Sequence, residues 1–377
     1  MQTQARAQTQ AQARQQQGQG QGQQGQELPF MSPWPVPPVA PLITSPASVE
    51  LWQEHVDASL AWLRAHDAGV RALPSLVANT SLQGVGILIE PRDHADAEFV
   101  LRNWAHFRAR QGWGLVVVHG STLASAQFYA SLTRGWPNVL LLDCGAENLD
   151  GNAYNSKLTD PDFWKQFICF KRVVVFQTDT AQIASASLAR FCEYDWVGAP
   201  WAHTCLVCNA VIVPPPRKDS EDSKDSDEGK KDKKRVCCGH MIDHRALQAL
   251  APNLVGNGGL SLRNPRAMLD VCERFRLSAG VAKDADTRIV LDATNEDTFF
   301  CLALQASGRR IAPRVVADEW AIEQVVPRML DPSLPAAVGI HKPWAYVAPD
   351  VLRCILASVC YKDLETDATF YPTRAPQ

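Results

Sequence analysis

The chain has 377 residues, 46% of them hydrophobic, and a formal net charge of −3. That length can bury a large core as one α/β domain or two smaller ones. The near-neutral balance, with no basic stripe interleaved with aromatic residues, argues against nucleic acid as a partner, and no run of about 18 apolar residues offers a transmembrane segment.

Residues 1–26 are almost entirely Gln, Ala, Gly, Thr and Arg, and residues 27–48 are Pro-rich. Neither stretch can bury enough apolar surface to offset chain entropy, so 1–48 reads as a disordered tail ahead of a domain over 49–377. No apolar run near the start suits a signal peptide. The chain reads as soluble and cytoplasmic as it stands, with the Golgi implied if the natural start lies upstream. The 11 cysteines sit mostly in apolar contexts, such as Cys169 in "QFICF" and Cys301 in "FFCLAL", a pattern of reducing compartments.

Helical spacing of Leu51, Trp52, Val56, Leu60 and Leu63 predicts a first helix, with Ser48 as its cap and Glu50 in its first turn. "GVGILIE" (84–90) reads as a buried strand, "DAEFVLRNWAHFRAR" (96–110) as a helix and "GLVVVHG" (114–120) as a second strand. "NVLLLD" (138–143) and "RVVVFQTD" (172–179) repeat the strand signal, with "DPDFWKQF" (160–167) as the helix between them. Short β-branched runs alternating with amphipathic helices predict an α/β fold with a mostly parallel central sheet covered by helices.

A charged insertion comes next, at about 203–243; its core, 214–235, carries eight basic and seven acidic residues and no aromatic one. Such a stretch reads as a solvated excursion within the domain. Cys205 and Cys208 precede it, and Cys237 and Cys238 follow it, with His240 and His244 beyond. These read either as ligands of a structural Zn²⁺ or as unconnected cysteines.

Candidate chemistry lies at the ends of the apolar runs. Asp179 ends the fourth strand, where open α/β sheets bind ligands and where a carboxylate suits Mn²⁺ or Mg²⁺; it reads equally as the cap of the next segment, "TAQIASASLARF". In "EYDWVGAPW", Asp195 and Trp201 are candidate substrate contacts, although a Trp in such a turn also reads as core. "GNGGLSLR" sets Gly256, Asn257, Gly258 and Gly259 before an alternating strand start, and the glycines permit a turn or close backbone approach to a ligand. "NEDTFFCLAL" reads as Asn295 capping a helix whose first turn holds Glu296 and Asp297, favourable there on electrostatic grounds alone and also placed to supply a general base. His341, after a short apolar run, is a core histidine or a metal ligand.

Taken in order, "FQTD", "YDWVGAPW", "GNGGLSLR", "NEDTFF" and "GIHKPW" resemble an uncharacterised group of glycosyltransferase-like proteins, a domain of unknown function that shares its motif order with nucleotide-sugar transferases of the GT-A fold. The resemblance spans roughly 84–346. It implies a GT-A-like fold and a hexosyltransferase-like transfer of sugar from a nucleotide-sugar donor to a glycan, protein or small-molecule acceptor. It also implies Asp179 and His341 as ligands of Mn²⁺ or Mg²⁺, the glycine segment beneath the sugar, and Asp297, or else Glu296, as the base. Where the family's metal motif has its first acid, this chain has Gln177. A relative that keeps the fold and binds a glycan or partner without catalysis is the other reading, and a zinc-stabilised interaction module is a third.

Overall fold

The computed structural model describes residues 45–76, 82–201, 255–278, 281–284, 290–292, 295–323 and 337–358, all within a unit spanning Ala40–Gln377. The first helix, α1 (Pro46–Ala65), opens with proline at its first position, where the missing N–H would have had no helical partner. It therefore begins ahead of Ser48, the predicted cap. Ser48 is instead buried within the first turn, and its hydroxyl donates to the Val347 carbonyl.

The central sheet follows the predicted runs. Strands β1 (Gly84–Ile89), β2 (Trp113–His119) and β4 (Val173–Phe176) are buried along their whole length, as strands covered on both faces must be. Strand β3 (Val139–Asp143) is the partly exposed edge. Among the described residues the order is β3-β2-β1-β4-β7-β6, with β6 (Trp196–Pro200) and β7 (Val255–Arg263) completing the sheet. The first four strands are mutually parallel, and β7 runs antiparallel to both β4 and β6. The glycine segment, expected as a turn before a strand, is itself part of β7.

Alternation along the strands divides the interior in two. Leu88, Val174 and Phe176 face α1 and α2 (Ala97–Arg108), in a core with Trp52, Phe99 and Trp104. Val85, Ile87, Val173 and Val175 face the other side, against Phe163 and Trp164 of α5 (Pro161–Lys165), Met268 of α6 (Pro265–Arg274) and Phe300 of α7 (Glu296–Ala306). Among the helices not anticipated are α3 (Leu123–Leu132), which links β2 to β3, and α4 (Gly151–Leu158). Each is capped at its N-terminus by a side chain, Thr122 accepting from the Ser125 amide and Asp150 from that of Ala153.

A second small sheet frames one end of the first, in the order β11 (Ala321–Ile322), β12 (Gly339–His341), β5 (Thr180–Gln182). Strands β8 (Phe275–Ser278), β9 (Val281–Asp284) and β10 (Val290–Asp292) form an antiparallel meander ahead of α7. The last described helix is α8 (Pro349–Ser358). No helix of the described residues is long and apolar enough to cross a membrane. The N-terminal tail to residue 44, the sequon, the charged insertion and the cysteines proposed for zinc (Cys205, Cys208, Cys237, Cys238) lie outside the described residues.

Candidate functional site

The chain moves outward from β1 through β2 to β3, then crosses to β4 on the other flank of β1. That reversal opens a crevice between the carboxyl ends of β1 and β4, where open α/β sheets take ligands. The segment after β1 brings Asp96 within electrostatic reach of Asp179, which the turn after β4 supplies. The carboxyl of Asp96 titrates above its ordinary value, chiefly through burial; His94 opposes this, and the charges of Asp57 and Asp179 add to it.

Asp179 sits at the tip of a tight turn. The Gln177 carbonyl accepts from both the amide and the hydroxyl of Thr180, while the Gln177 amide donates to the Gly259 carbonyl at 3.0 Å. Pairing of β5 with β12 sets His341 opposite Thr180. His341 Nε2 therefore stands 3.3 Å from Asp179 Oδ1, close enough for an ion pair but not aligned for a hydrogen bond. Lys342 takes a left-handed conformation (φ 47°), uncommon for a residue with a side chain, and its amide donates to the Asp179 carbonyl at 2.8 Å. Burial works against ionisation of Asp179, but His341 outweighs it and the carboxyl lies below its ordinary pKa. Burial likewise favours a neutral His341 ring, yet the carboxylates on its two edges, Asp179 and Glu323, raise its pKa to about 10.

The glycines of β7 make the crowding around this pair sterically feasible. Successive strand residues face opposite ways. A Cβ on Gly258 would lie 2.2 Å from Glu296 Oε1 and 3.2 Å from Asp297 Cβ, whereas one on Gly259 would lie 2.2 Å from His341 Nε2. The acid pair thus approaches β7 from one face and His341 from the other. Gly256 (φ +151°) leaves room for Cys301 Sγ and the Trp201 ring. The space each of these glycines leaves is filled by the protein's own side chains. Asn257 between them accepts from the Gly259 amide at 2.9 Å and donates to Glu323 Oε1 at 2.8 Å.

The two acids at the head of α7 have different surroundings. Both oxygens of Glu296 are taken by the buried Arg263, at 2.9 and 3.1 Å, and that guanidinium lies over the Trp196 ring at 4.3 Å. Glu296 is a structural anion. Asp297 is half-buried, and its Oδ1 accepts from the Thr298 amide at 2.7 Å. Burial, then the charges of Glu296 and Glu323, outweigh the amides of Thr298 and Gly258 and raise its pKa to about 7. A carboxylate so poised can take a proton near neutrality.

Two of the predicted contacts do not open onto the site. Asp195 precedes β6, at the far end of that strand from Trp201, and its oxygens accept from Asn264 Nδ2 and the Arg310 amide. Trp201 is 2% exposed and belongs to the core around Phe300 and Cys301, so it presents no open face. Two unanticipated residues do lie at the site. Glu323, just past β11, touches His341 and Asn257. Tyr154 of α4 has a buried hydroxyl within the electrostatic reach of Glu296, Gln177 and Asp179; its pKa is pushed well up, first by burial. An acid ending the two-residue apolar strand "AI" was the sole sequence signal for Glu323, and Tyr154 gave none.

No curated protein matches the sequence. Among solved structures, a mannosyltransferase from Pyrobaculum calidifontis in complex with GDP-Man and Mn²⁺ is 15% identical, with TM-score 0.36, covering 72% of this chain and 66% of that one. The mouse xyloside xylosyltransferase 1 is 10% identical, with TM-score 0.37, covering 68% of this chain and 97% of that one. The galactosyltransferase LgtC, in complex with donor and acceptor sugar analogs, is also 10% identical, with TM-score 0.37, covering 73% of this chain and 95% of that one. At these identities and scores the likeness is distant. The model of a protein family of unknown function, DUF5672, matches residues 146–341, just over half of the chain and a span running from the turn after β3 to His341, and the chain belongs to that family.

Proposed function

We propose that the protein is a glycosyltransferase that moves a sugar from a nucleotide-sugar donor to an acceptor hydroxyl. The observation that carries this reading is the meeting of Asp179 and His341 at the β1–β4 crevice, each with a buried atom lacking a hydrogen-bond partner. Among the described residues no three His, Cys, Asp or Glu side chains converge as a metal cage. Two adjacent donors on one octahedral cation lie about 3 Å apart for bonds near 2.1 Å, close to the 3.3 Å separating Nε2 from Oδ1. Asp179 and His341 therefore suit a divalent cation, Mn²⁺ or Mg²⁺, and would be the protein side chains that hold it. Bound there, it would supply the positive charge that stabilises a departing nucleoside diphosphate.

Asp297 is the base in this scheme. Its carboxylate removes the proton of the acceptor hydroxyl as that oxygen attacks the anomeric carbon, so displacement takes one step and inverts the configuration. Glu296, held by Arg263, sets the charge environment of Asp297 and takes no proton. The glycine segment, Gly256 to Gly259 with Asn257, lets the acid pair and His341 pack closely against the two faces of β7.

Calorimetric titration with UDP and with GDP, each with and without Mn²⁺, tests the donor site on the wild type and Asp179→Asn. Metal-dependent binding that the variant loses is the expected result. A folded wild type that binds neither nucleotide would sink the proposal. It would leave the second reading, a non-catalytic glycan- or partner-binding relative, which Gln177 in place of a first metal-binding acid favours.

A further inference from the structure

Glu323 is a carboxylate that this scheme leaves unused. It is 2% exposed, and its Oε2 is buried with no hydrogen-bond partner among the described residues. A carboxylate so placed is costly unless partners compensate. Its Oε1 accepts from Asn257 Nδ2 at 2.8 Å and stands 3.4 Å from His341 Nδ1. Across the ring, Nε2 faces Asp179 Oδ1 at 3.3 Å. The imidazole is thus clasped edge-on between two carboxylates, with its ring lying against the bare backbone of Gly259.

The two edges are not equivalent. Asp179 lies at the crevice and is partly exposed, whereas Glu323 is sealed behind the ring and tied through Asn257 to the Gly259 amide. Between two carboxylates the ring holds a proton on each nitrogen; a cation would have to displace the one on Nε2, and donation of the remaining Nδ1–H to a fixed acceptor would leave the Nε2 lone pair facing it. The separation at Nδ1 is long for a hydrogen bond, and contacts of this kind tighten when a site fills.

We propose that Glu323 is the positioning residue of the cation site: by accepting the Nδ1 proton of His341 it holds the tautomer whose Nε2 turns toward a divalent cation shared with Asp179. This rests on the proposed function, in which Asp179 and His341 hold that cation. Asn257 is the brace, since one side-chain amide fixes both Glu323 and the backbone beneath the ring.

The test is Mn²⁺ affinity of the full chain, read as free Mn²⁺ by electron paramagnetic resonance in the presence of UDP or GDP. Glu323→Leu, which removes the acceptor, should weaken Mn²⁺ about 10- to 100-fold. Glu323→Gln keeps an oxygen at that position without the charge and should fall between. Asp179→Asn should lose binding outright. Nitrogen-15 histidine spectra of the Mg²⁺-loaded protein should show His341 ligated at Nε2 with its Nδ1 proton in a hydrogen bond, and that proton's resonance should move upfield in Glu323→Gln, a change that a purely structural role would not produce. Wild-type Mn²⁺ affinity in folded Glu323→Leu, with Asp179→Asn defective, would overturn the role of Glu323 and leave the cation site standing. A wild type that binds no Mn²⁺ with either nucleotide would overturn both. If Glu323→Leu does not fold, Glu323→Gln decides, and wild-type Mn²⁺ affinity with an unmoved Nδ1 proton resonance in that variant overturns the proposal.

Discussion

A carboxyl group with a pKa of about 7 is half ionised at neutrality, and Asp297 is such a group because burial and two neighbouring anions resist its charge. A base must be ionised to act, so transfer should rise with pH through about 7 and level off above it, and Asp297→Asn should abolish turnover while nucleotide binding persists. A pH–rate profile with calorimetry on the variant checks both. The same shift has a consequence for stability. With its folded pKa raised above the unfolded value, the group contributes stability below the unfolded pKa that is lost as pH climbs through about 7. Asp297→Asn should therefore raise the melting temperature at pH 8 by several degrees and change it little at pH 4.

Between elements, contacts across β7 hold the site in register. Arg263 joins β7 to α7 through Glu296 while Trp196, Phe300 and Trp164 close around its guanidinium. Replacing it with methionine would strand a buried carboxylate, a loss of about 3–5 kcal/mol in urea denaturation. The double variant Arg263→Met/Glu296→Gln should recover much of that. Gly259→Ala acts on the other face: its new methyl meets the His341 ring, so Mn²⁺-dependent nucleotide binding should fail even where the melt shows a folded protein. These roles explain what could be read in advance. Continuous apolar runs announced β1, β2 and β4 because both faces of each strand are buried, and acids ahead of an apolar helix announced α7. Asp195 misled because an acid–aromatic string looks the same at either end of a strand, and only pairing with β7 shows which end faces the crevice; Trp201 lies past the other end but is sealed in the core. Glu323 and Tyr154 escaped notice because their significance arises from contacts distant in sequence.

At the scale of the whole molecule, the strands form a scaffold interrupted by one long excursion. Pro200 pairs with Val255, so the chain leaves β6 and re-enters β7 at neighbouring positions on the sheet. Loop closure depends only weakly on length, and the closure term for exchanging some fifty residues for about five is about 2 kcal/mol. Replacing 203–253 with a short Gly-Asn linker isolates that term: a melting temperature equal or slightly higher is the closure effect alone, and a clearly lower one means that the replaced residues stabilise the domain. If the variant keeps Mn²⁺-dependent nucleotide binding, the donor site needs nothing from the excursion, its cysteines included.

The thiol of Cys301, which occupies the space left by Gly256, also gives the site a clock. It is sealed, and its pKa is pushed well up by burial and then by Asp297 and Glu296, so a native molecule offers an alkylating reagent almost no thiolate there. Cys272, equally buried in α6 and likewise shifted upward, serves as the reference, while Cys169 and Cys354 are exposed and react at once. Labelling of Cys301 therefore times how often β7 and α7 part. A rate matching that of Cys272 would mean that the site comes open only when the domain does; a faster one would mean that it breathes on its own schedule.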